Sequence, residues 1–243
     1  IEGISEFSRF LIVGLVLLAA VLSSTDVRYI KLLSLGSAGL FFALIAVLGL
    51  FGGVSFTGLG ENLLQLADYL PNLHRFVGPF SVYHAFYLFW WFAWSIMIGQ
   101  FVARFVCGLK TWQLLIALLV IPSVAIALWF STLYYYFYNR IAVTGMLRWA
   151  MVTLGVIFVI NSLDSLIRLY TDNLDFGVER LGRAQYVLGN CLLLGTLVLL
   201  YQLTPLKIEW VGLVVIGLYA VIYSLVFKHR KKLRDSFMLA EDS

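Results

Sequence analysis

Charged side chains are what this sequence has least of. Asp, Glu, Lys and Arg make up 12% of its 243 residues, against about 25% in soluble domains. That scarcity excludes an ordinary water-covered surface. Histidine is equally thin: His74, His84 and His229 lie far apart with no acidic motif beside them. No acid–base constellation can be assembled from them, so the chain is not expected to be an enzyme. The two cysteines, Cys107 and Cys191, fall in or beside apolar runs without metal-ligand spacing and read as packing residues. Before the first apolar run there is neither a basic leader nor a cleavage site, so the expectation is an excerpt of a longer protein.

What is there is lipid-compatible. Apolar residues reach 62% and the mean hydropathy is +0.94. Runs long enough to cross a bilayer core of about 30 Å fall near residues 8–24, 35–54, 80–103, 112–133, 146–167, 183–203 and 209–227. Seven spans predict an all-α polytopic membrane protein. In a soluble protein the net charge of +4 would suggest a nucleic-acid partner, but here the basic residues sort by loop and no nucleic acid is expected. One set of alternate loops holds twelve of them, from Arg28 and Lys31 to Arg234; the other holds five, Arg9, Arg75, Arg140, Arg148 and Lys207. This asymmetry predicts an outside amino end and a cytoplasmic carboxyl end, in a plasma membrane of bacterial inner-membrane type. The tail Lys228 to Arg234 is a juxtamembrane basic cluster suited to anionic headgroups.

Smaller features punctuate the order. Glu61 to Leu70 alternates at helical spacing and stops at Pro71, predicting a short amphipathic helix on the outer surface. Leu133 to Tyr138 is an aromatic run, read as an interfacial girdle with an outer gate as the alternative. Asp164 and Arg168, four apart, predict a helix-surface ion pair. Asn190 predicts a hydrogen bond between helices.

The stretch that organises the chain is Tyr83 to Arg104, uncharged between His84 and Arg104. Tryptophan and tyrosine in ordinary spans gather at the two interfaces, yet Trp90, Trp91 and Trp94 sit near the middle of this one. Phe86, Trp90 and Trp94 recur every four residues, and Tyr87, Trp91 and Trp94 at four and three. The rings therefore share one broad helix face. Indole faces attract a quaternary ammonium group at about 0.5–2 kcal/mol per ring, with no carboxylate required. The alternative is bulky packing between helices.

These residues resemble the eighth helix of the betaine/choline/carnitine transporters, whose pattern runs F-Y-W-A-W-W-I-S-W-x-P-F-V-G-x-F-I-A-R. Phe86, Tyr87, Trp90, Trp91, Trp94, Gly99, Phe101, Ala103 and Arg104 match in register, while Leu88, Ile96 and Met97 depart from it. Ser23 to Ser34 is similar to the connection between the family's sixth and seventh helices, with Ser24 and Tyr29 in place of two glycines. Ile121-Pro122-Ser123 and Leu128-Trp129-Phe130 are similar to its ninth helix, and Phe158-Val159-Ile160-Asn161-Ser162-Leu163-Asp164-Ser165 to the F-x-x-T-S-A-D-S of its tenth.

The resemblance implies helices six to twelve of a LeuT-like inverted-repeat fold, whose substrate site lies at the midplane. Residues 1–79 would close the first repeat and hold the outer amphipathic segment, 80–227 would form the second, and 228–243 the cytoplasmic tail. It implies secondary transport of a quaternary-ammonium or zwitterionic osmolyte, bound by Trp90, Trp91, Trp94, Phe86 and Tyr87. It also implies a sodium spot at Phe158, Asn161 and Ser162, where the family's threonine is Asn161; an amide oxygen can ligate a hard cation or cross-brace two helices. The missing helices would come from upstream sequence, a homo-oligomer or a partner membrane chain. A transport-inactive scaffold subunit is the competing expectation.

Overall fold

The computed structural model describes residues 5–68, 70–76, 78, 81–105, 108–205 and 207–230. Among them the regular structure is helical: α1 (Glu6–Ser23), α2 (Val27–Gly52), α3 (Phe56–Ala67), a 3-10 turn (Leu73–Phe76), α4 (Val82–Phe105), α5 (Thr111–Tyr138), α6 (Gly145–Asn173), α7 (Val178–Leu181), α8 (Arg183–Leu203) and α9 (Ile208–Lys228). Seven of these, all but α3 and α7, are long and apolar enough to cross a membrane. The chain is an all-α, multi-pass membrane protein.

α5 and α6 run on to Tyr138 and Asn173, past the apolar runs read near 112–133 and 146–167, and two helices start early because a polar residue caps them ahead of the apolar run. The second span starts at Val27 instead of residue 35, since the Asp26 side chain accepts from the Arg28 N–H at 2.9 Å. A capping carboxylate satisfies one of the orphan donors of the first turn, so Arg28 and Lys31 are carried inside the helix. Likewise α3 starts at Phe56 instead of Glu61, because Ser55 Oγ accepts from the Gly58 N–H at 3.0 Å.

The chain forms two compact units. One holds α1, α2, α3, α5, α6, α7 and α8; the other holds α4 and α9. In the larger unit, the register of contacts gives the helix directions. Phe41 meets Trp129 at 5.6 Å between ring centroids, and Tyr136 donates to Leu48 O at 2.6 Å, so α2 and α5 run parallel. Ser34 meets Asn161, while Leu44 and Leu48 pack with Leu154, so α2 and α6 run antiparallel. Both follow from spans that cross alternately. Gly53, at φ 60°, ends α2 in the left-handed region, which glycine enters without a Cβ penalty. Next to it Gly52 is obligatory for another reason: a Cβ there would lie 2.6 Å from the Tyr136 ring.

A second core joins α1, α6 and α8 through Leu17, Ala20, Val21, Ile167 and Tyr186. Buried polar groups hold this junction. Ser23 Oγ donates to Asp164 Oδ2 at 2.8 Å and Ser165 Oγ to Asp164 Oδ1 at 3.1 Å. The Tyr186 hydroxyl lies 3.0 Å from Ser24 Oγ and 3.4 Å from Thr171 Oγ1. Tyr170 donates to Asn190 Oδ1, the interhelical bond expected of that asparagine. The Asp164–Arg168 pair is not formed. Asp164 points inward with none of its residue exposed, and Arg168 instead lies 3.9 Å from Asp172. The reason is geometric: the apolar face of α6 that packs on α1 carries Asp164 with it, whereas Arg168 and Asp172 share the next face.

In the smaller unit α4 and α9 approach closely. A Cβ at Gly212 would lie 2.8 Å from Phe89 O and from its Cβ. Tyr219 donates to Ser95 Oγ at 2.9 Å, and that hydroxyl donates on to Phe92 O at 2.6 Å. Gly212 at Phe89 and Tyr219 at Ser95 make the pair parallel, again as alternate crossing requires. Cys107 and the tail residues Lys231 to Arg234 lie outside the described residues; of the basic cluster, Lys228, His229 and Arg230 are described.

Candidate functional site

The aromatic face is built by helical periodicity. At about 100° per residue, Phe86, Trp90, Trp94, Tyr87 and Trp91 span roughly 140° of α4. Phe89 and Ser95, which meet α9, fall outside that arc. The contact with α9 therefore lies on another side of the helix from the ring face, whose Phe86, Tyr87 and Trp91 are exposed. Trp90 sits at the centre, 5.2 Å from the Trp91 ring in an edge-to-face arrangement and 5.6 Å from Trp94. Phe86 and Tyr87 pair edge-to-face at 5.5 Å one turn earlier. Trp90 and Trp94 are half-buried, while Trp91 is 53% and Tyr87 56% exposed. All five residues expected from spacing are thus brought to one helix face.

That arrangement is chemically specific. Edge-to-face pairs set one ring at a large angle to its neighbour, 68° for Trp90 and Trp91, so the cluster presents ring faces in more than one direction. A diffuse cation meets negative π-faces, and the weakly hydrated methyl groups of a quaternary ammonium lose little on leaving water. Among the described residues no cluster of three or more His, Cys, Asp or Glu could hold a metal ion.

The spot at Phe158, Asn161 and Ser162 is occupied differently. Ser34 Oγ donates to Asn161 Oδ1 at 2.8 Å across α2 and α6. Phe158 packs edge-on to Phe41 at 5.9 Å. The amide oxygen that would ligate sodium is engaged by a hydroxyl, which leaves Ser162 as the remaining side-chain oxygen of the three. These residues fit an interhelical brace better than an ion site.

Sequence reasoning missed Asp164. Its two hydroxyl partners, Ser23 and Ser165, come from α1 and from its own helix, and only the first is remote. A carboxylate within an apolar span signals a buried partner by its cost alone, but that cost does not say which residue answers it. The girdle reading of Leu133 to Tyr138 is divided by the structure: Tyr134, Phe137 and Tyr138 are exposed, while Tyr136 is 4% exposed and holds the end of α2.

Comparison with known proteins agrees with this architecture. The model of the betaine/carnitine/choline transporter family matches residues 5–136, more than half of the chain. A glycine betaine transporter of Vibrio parahaemolyticus is 30% identical over 98 residues, covering 37% of this chain and 18% of that protein. From the same organism, a glycine betaine/proline/choline transporter is 31% identical over 83 residues, 31% of this chain and 14% of its own length. A glycine betaine transporter of Bacillus subtilis is 32% identical over 75 residues, 29% and 14% respectively. The matched stretch therefore spans less than a fifth of these relatives. No solved structure matches the chain significantly. With the family model covering α1 through α5, including the whole tryptophan helix, the chain belongs to the betaine/carnitine/choline family of transporters, which are membrane carriers and not enzymes.

Proposed function

We infer that this chain supplies one half of a plasma-membrane secondary transporter for a quaternary-ammonium or zwitterionic osmolyte of the betaine type. The observation that carries the reading is the uncovered ring face of α4, with three indoles gathered at mid-span on the side away from α9. Trp90, Trp91 and Trp94 would receive the ammonium group, flanked by Phe86 and Tyr87. Gly212 against Phe89 and Tyr219 against Ser95 tie α4 to α9, so the two helices would carry the ring face through an alternating-access cycle as one body. The fold would be LeuT-like. In chain order residues 80–227 would be the second five-helix repeat and 1–79 the end of the first, with the opposing wall of the site contributed by sequence or chains beyond these helices. The amino end would face outward and the basic tail the cytoplasm and its anionic lipids.

The test is binding. Glycine betaine added to the purified full-length transporter in detergent should quench tryptophan fluorescence, and Trp91→Ala or Trp94→Ala should abolish that response. Quenching that survives both substitutions removes the ring face from the site.

A second reading has its own observation. Asn161 is bonded to Ser34 where the family pattern has a threonine, and Leu88, Ile96 and Met97 depart from the α4 pattern. These changes favour a transport-inactive scaffold subunit. Purification as a large assembly with unrelated partners, together with no betaine uptake in liposomes, would establish it in place of the first.

A further inference from the structure

Of the four prolines in the chain, Pro122 is the one that lies inside a described helix. It sits about 17 Å along the axis from Thr111, where α5 begins, and so well within the span. Proline has no N–H to offer the carbonyl four residues back, and its ring presses on that carbonyl. Leu118 O is therefore without its regular helix donor. The next carbonyl is disturbed as well: Ser123 Oγ donates to Leu119 O at 2.5 Å, sharing the acceptor that the Ser123 N–H uses in a regular helix. Back-bonding of this kind bends helices. Two successive links of the ladder are weakened at one place, where alanine would make a stronger helix.

The two sides of this weak point are held differently. Past it, Trp129 meets Phe41 of α2, and Asn62 of α3 donates to Ser131 O at 3.4 Å. Tyr135 donates to Gly53 O at 3.3 Å and Tyr136 to Leu48 O at 2.6 Å. The buried residues of α5, Ser131, Thr132 and Tyr136, all fall in this half. Before the weak point, Gln113 Oε1 accepts from the nearby Lys110 N–H. Among the described residues no side-chain hydrogen bond or ring contact joins residues 111–121 to another helix.

These observations are independent. The ladder is weakened by the chemistry of Pro122 and Ser123, whereas the anchoring is set by rings and hydroxyls one to four turns further on. A weak point with one side fixed and the other not tied to the same neighbours is the mechanical requirement of a hinge.

We propose that α5 is a hinged helix: residues 129–138 stay with α2 and α3, while residues 111–121 swing about Pro122 and Ser123. In a transport cycle the swing changes access on the side of the membrane where α5 begins without dragging α2 and α3 along. The hinge itself stands apart from the tryptophans of α4, and only its use in uptake rests on the transport reading.

The experiment is double electron–electron resonance on the full-length transporter in nanodiscs, its native cysteines replaced and spin labels placed at Leu115 and Phe137, both exposed on α5. A straight helix sets these positions about 33 Å apart. The unsubstituted helix should give a broad distribution reaching shorter distances. Pro122→Ala restores the ladder and should narrow it to one peak near the straight-helix value, while Pro122→Gly, flexible for its own reason, should keep it broad. In proteoliposomes Pro122→Ala should lower glycine betaine uptake about tenfold with affinity held within about threefold, and Pro122→Gly should keep uptake within about threefold. A distribution that Pro122→Ala leaves unchanged overturns the hinge. A narrowed distribution with uptake at the wild-type rate overturns its role in transport. If the full-length protein neither binds nor carries betaine, the transport reading falls, and the distance comparison still decides the hinge.

Discussion

The junction of α1, α6 and α8 and the pair α4–α9 are built from opposite materials. At the junction, Ser23, Ser24, Asp164, Thr171, Tyr186 and Asn190 are all buried and all bonded. Polar side chains in an apolar chain are used there as fasteners, each satisfied by another so that none asks for a ligand. The α4–α9 pair is joined by Tyr219 to Ser95 and by the absence of a side chain at Gly212. Phe89 and Tyr219 lie in the contact, while the tryptophans of α4 fall on other faces of the helix. The difference lies in what is left over: at the junction the polar groups close on one another, whereas on α4 the rings of Phe86, Tyr87 and Trp91 stay exposed.

The comparison breaks most readily at Gly212. Gly212→Ala should separate α4 from α9, because the nearest obstruction includes a backbone carbonyl that cannot rotate away. We expect a loss of about 1–3 kcal/mol, as for overpacking in other cores, read as a lower melting temperature in detergent. Gly52→Ala is a softer version, since its obstruction is the Tyr136 ring, and a loss near the lower end of that range is expected. A melting temperature unchanged by Gly212→Ala would mean the pair is not close-packed.

Next in size are the fasteners. Tyr186→Phe removes the hydroxyl between Ser24 and Thr171, but both partners keep backbone acceptors, at Val21 O and Ile167 O. The expected loss is about 1 kcal/mol, and a neutral result would show the tyrosine is held by ring packing alone. The brace between α2 and α6 sharpens the point: a double-mutant cycle of Ser34→Ala and Asn161→Ala should give a coupling of about 0.5–1.5 kcal/mol. Zero coupling, combined with a sodium-dependent change in stability lost in Asn161→Ala, would return that residue to an ion site.

The smallest stability effect belongs to the most informative residue. Trp91 is 53% exposed and faces away from α9, so Trp91→Ala should shift stability by no more than about 0.5 kcal/mol. A larger drop would make the indole a packing residue and erase the contrast between the two regions.

How much of this was legible in the sequence follows from the range of each interaction. Spans are set by local composition, so all seven could be read, with errors at their ends where Asp26 and Ser55 cap a helix ahead of its apolar run and where α5 and α6 continue through polar and aromatic residues beyond it. The ring face of α4 is a property of one helix and its period, so its five members were visible too. Asp164 was assigned to Arg168 because four residues is a helical neighbour distance, but its interhelical partner, Ser23, lies 141 residues away. No local pattern carries that information. Asn161 was legible as a choice between cation ligand and brace, and it took the Ser34 hydroxyl, 127 residues distant, to favour the brace.

The central claim is that the rings of α4 are there for their π-faces and not for their bulk. Titration of glycine betaine against the full-length transporter tests it directly by comparing Trp91→Phe with Trp91→Leu. An aromatic replacement should keep affinity within about threefold and an aliphatic one of similar reach should lower it by about tenfold or more. Equal affinities for the two variants would contradict the account.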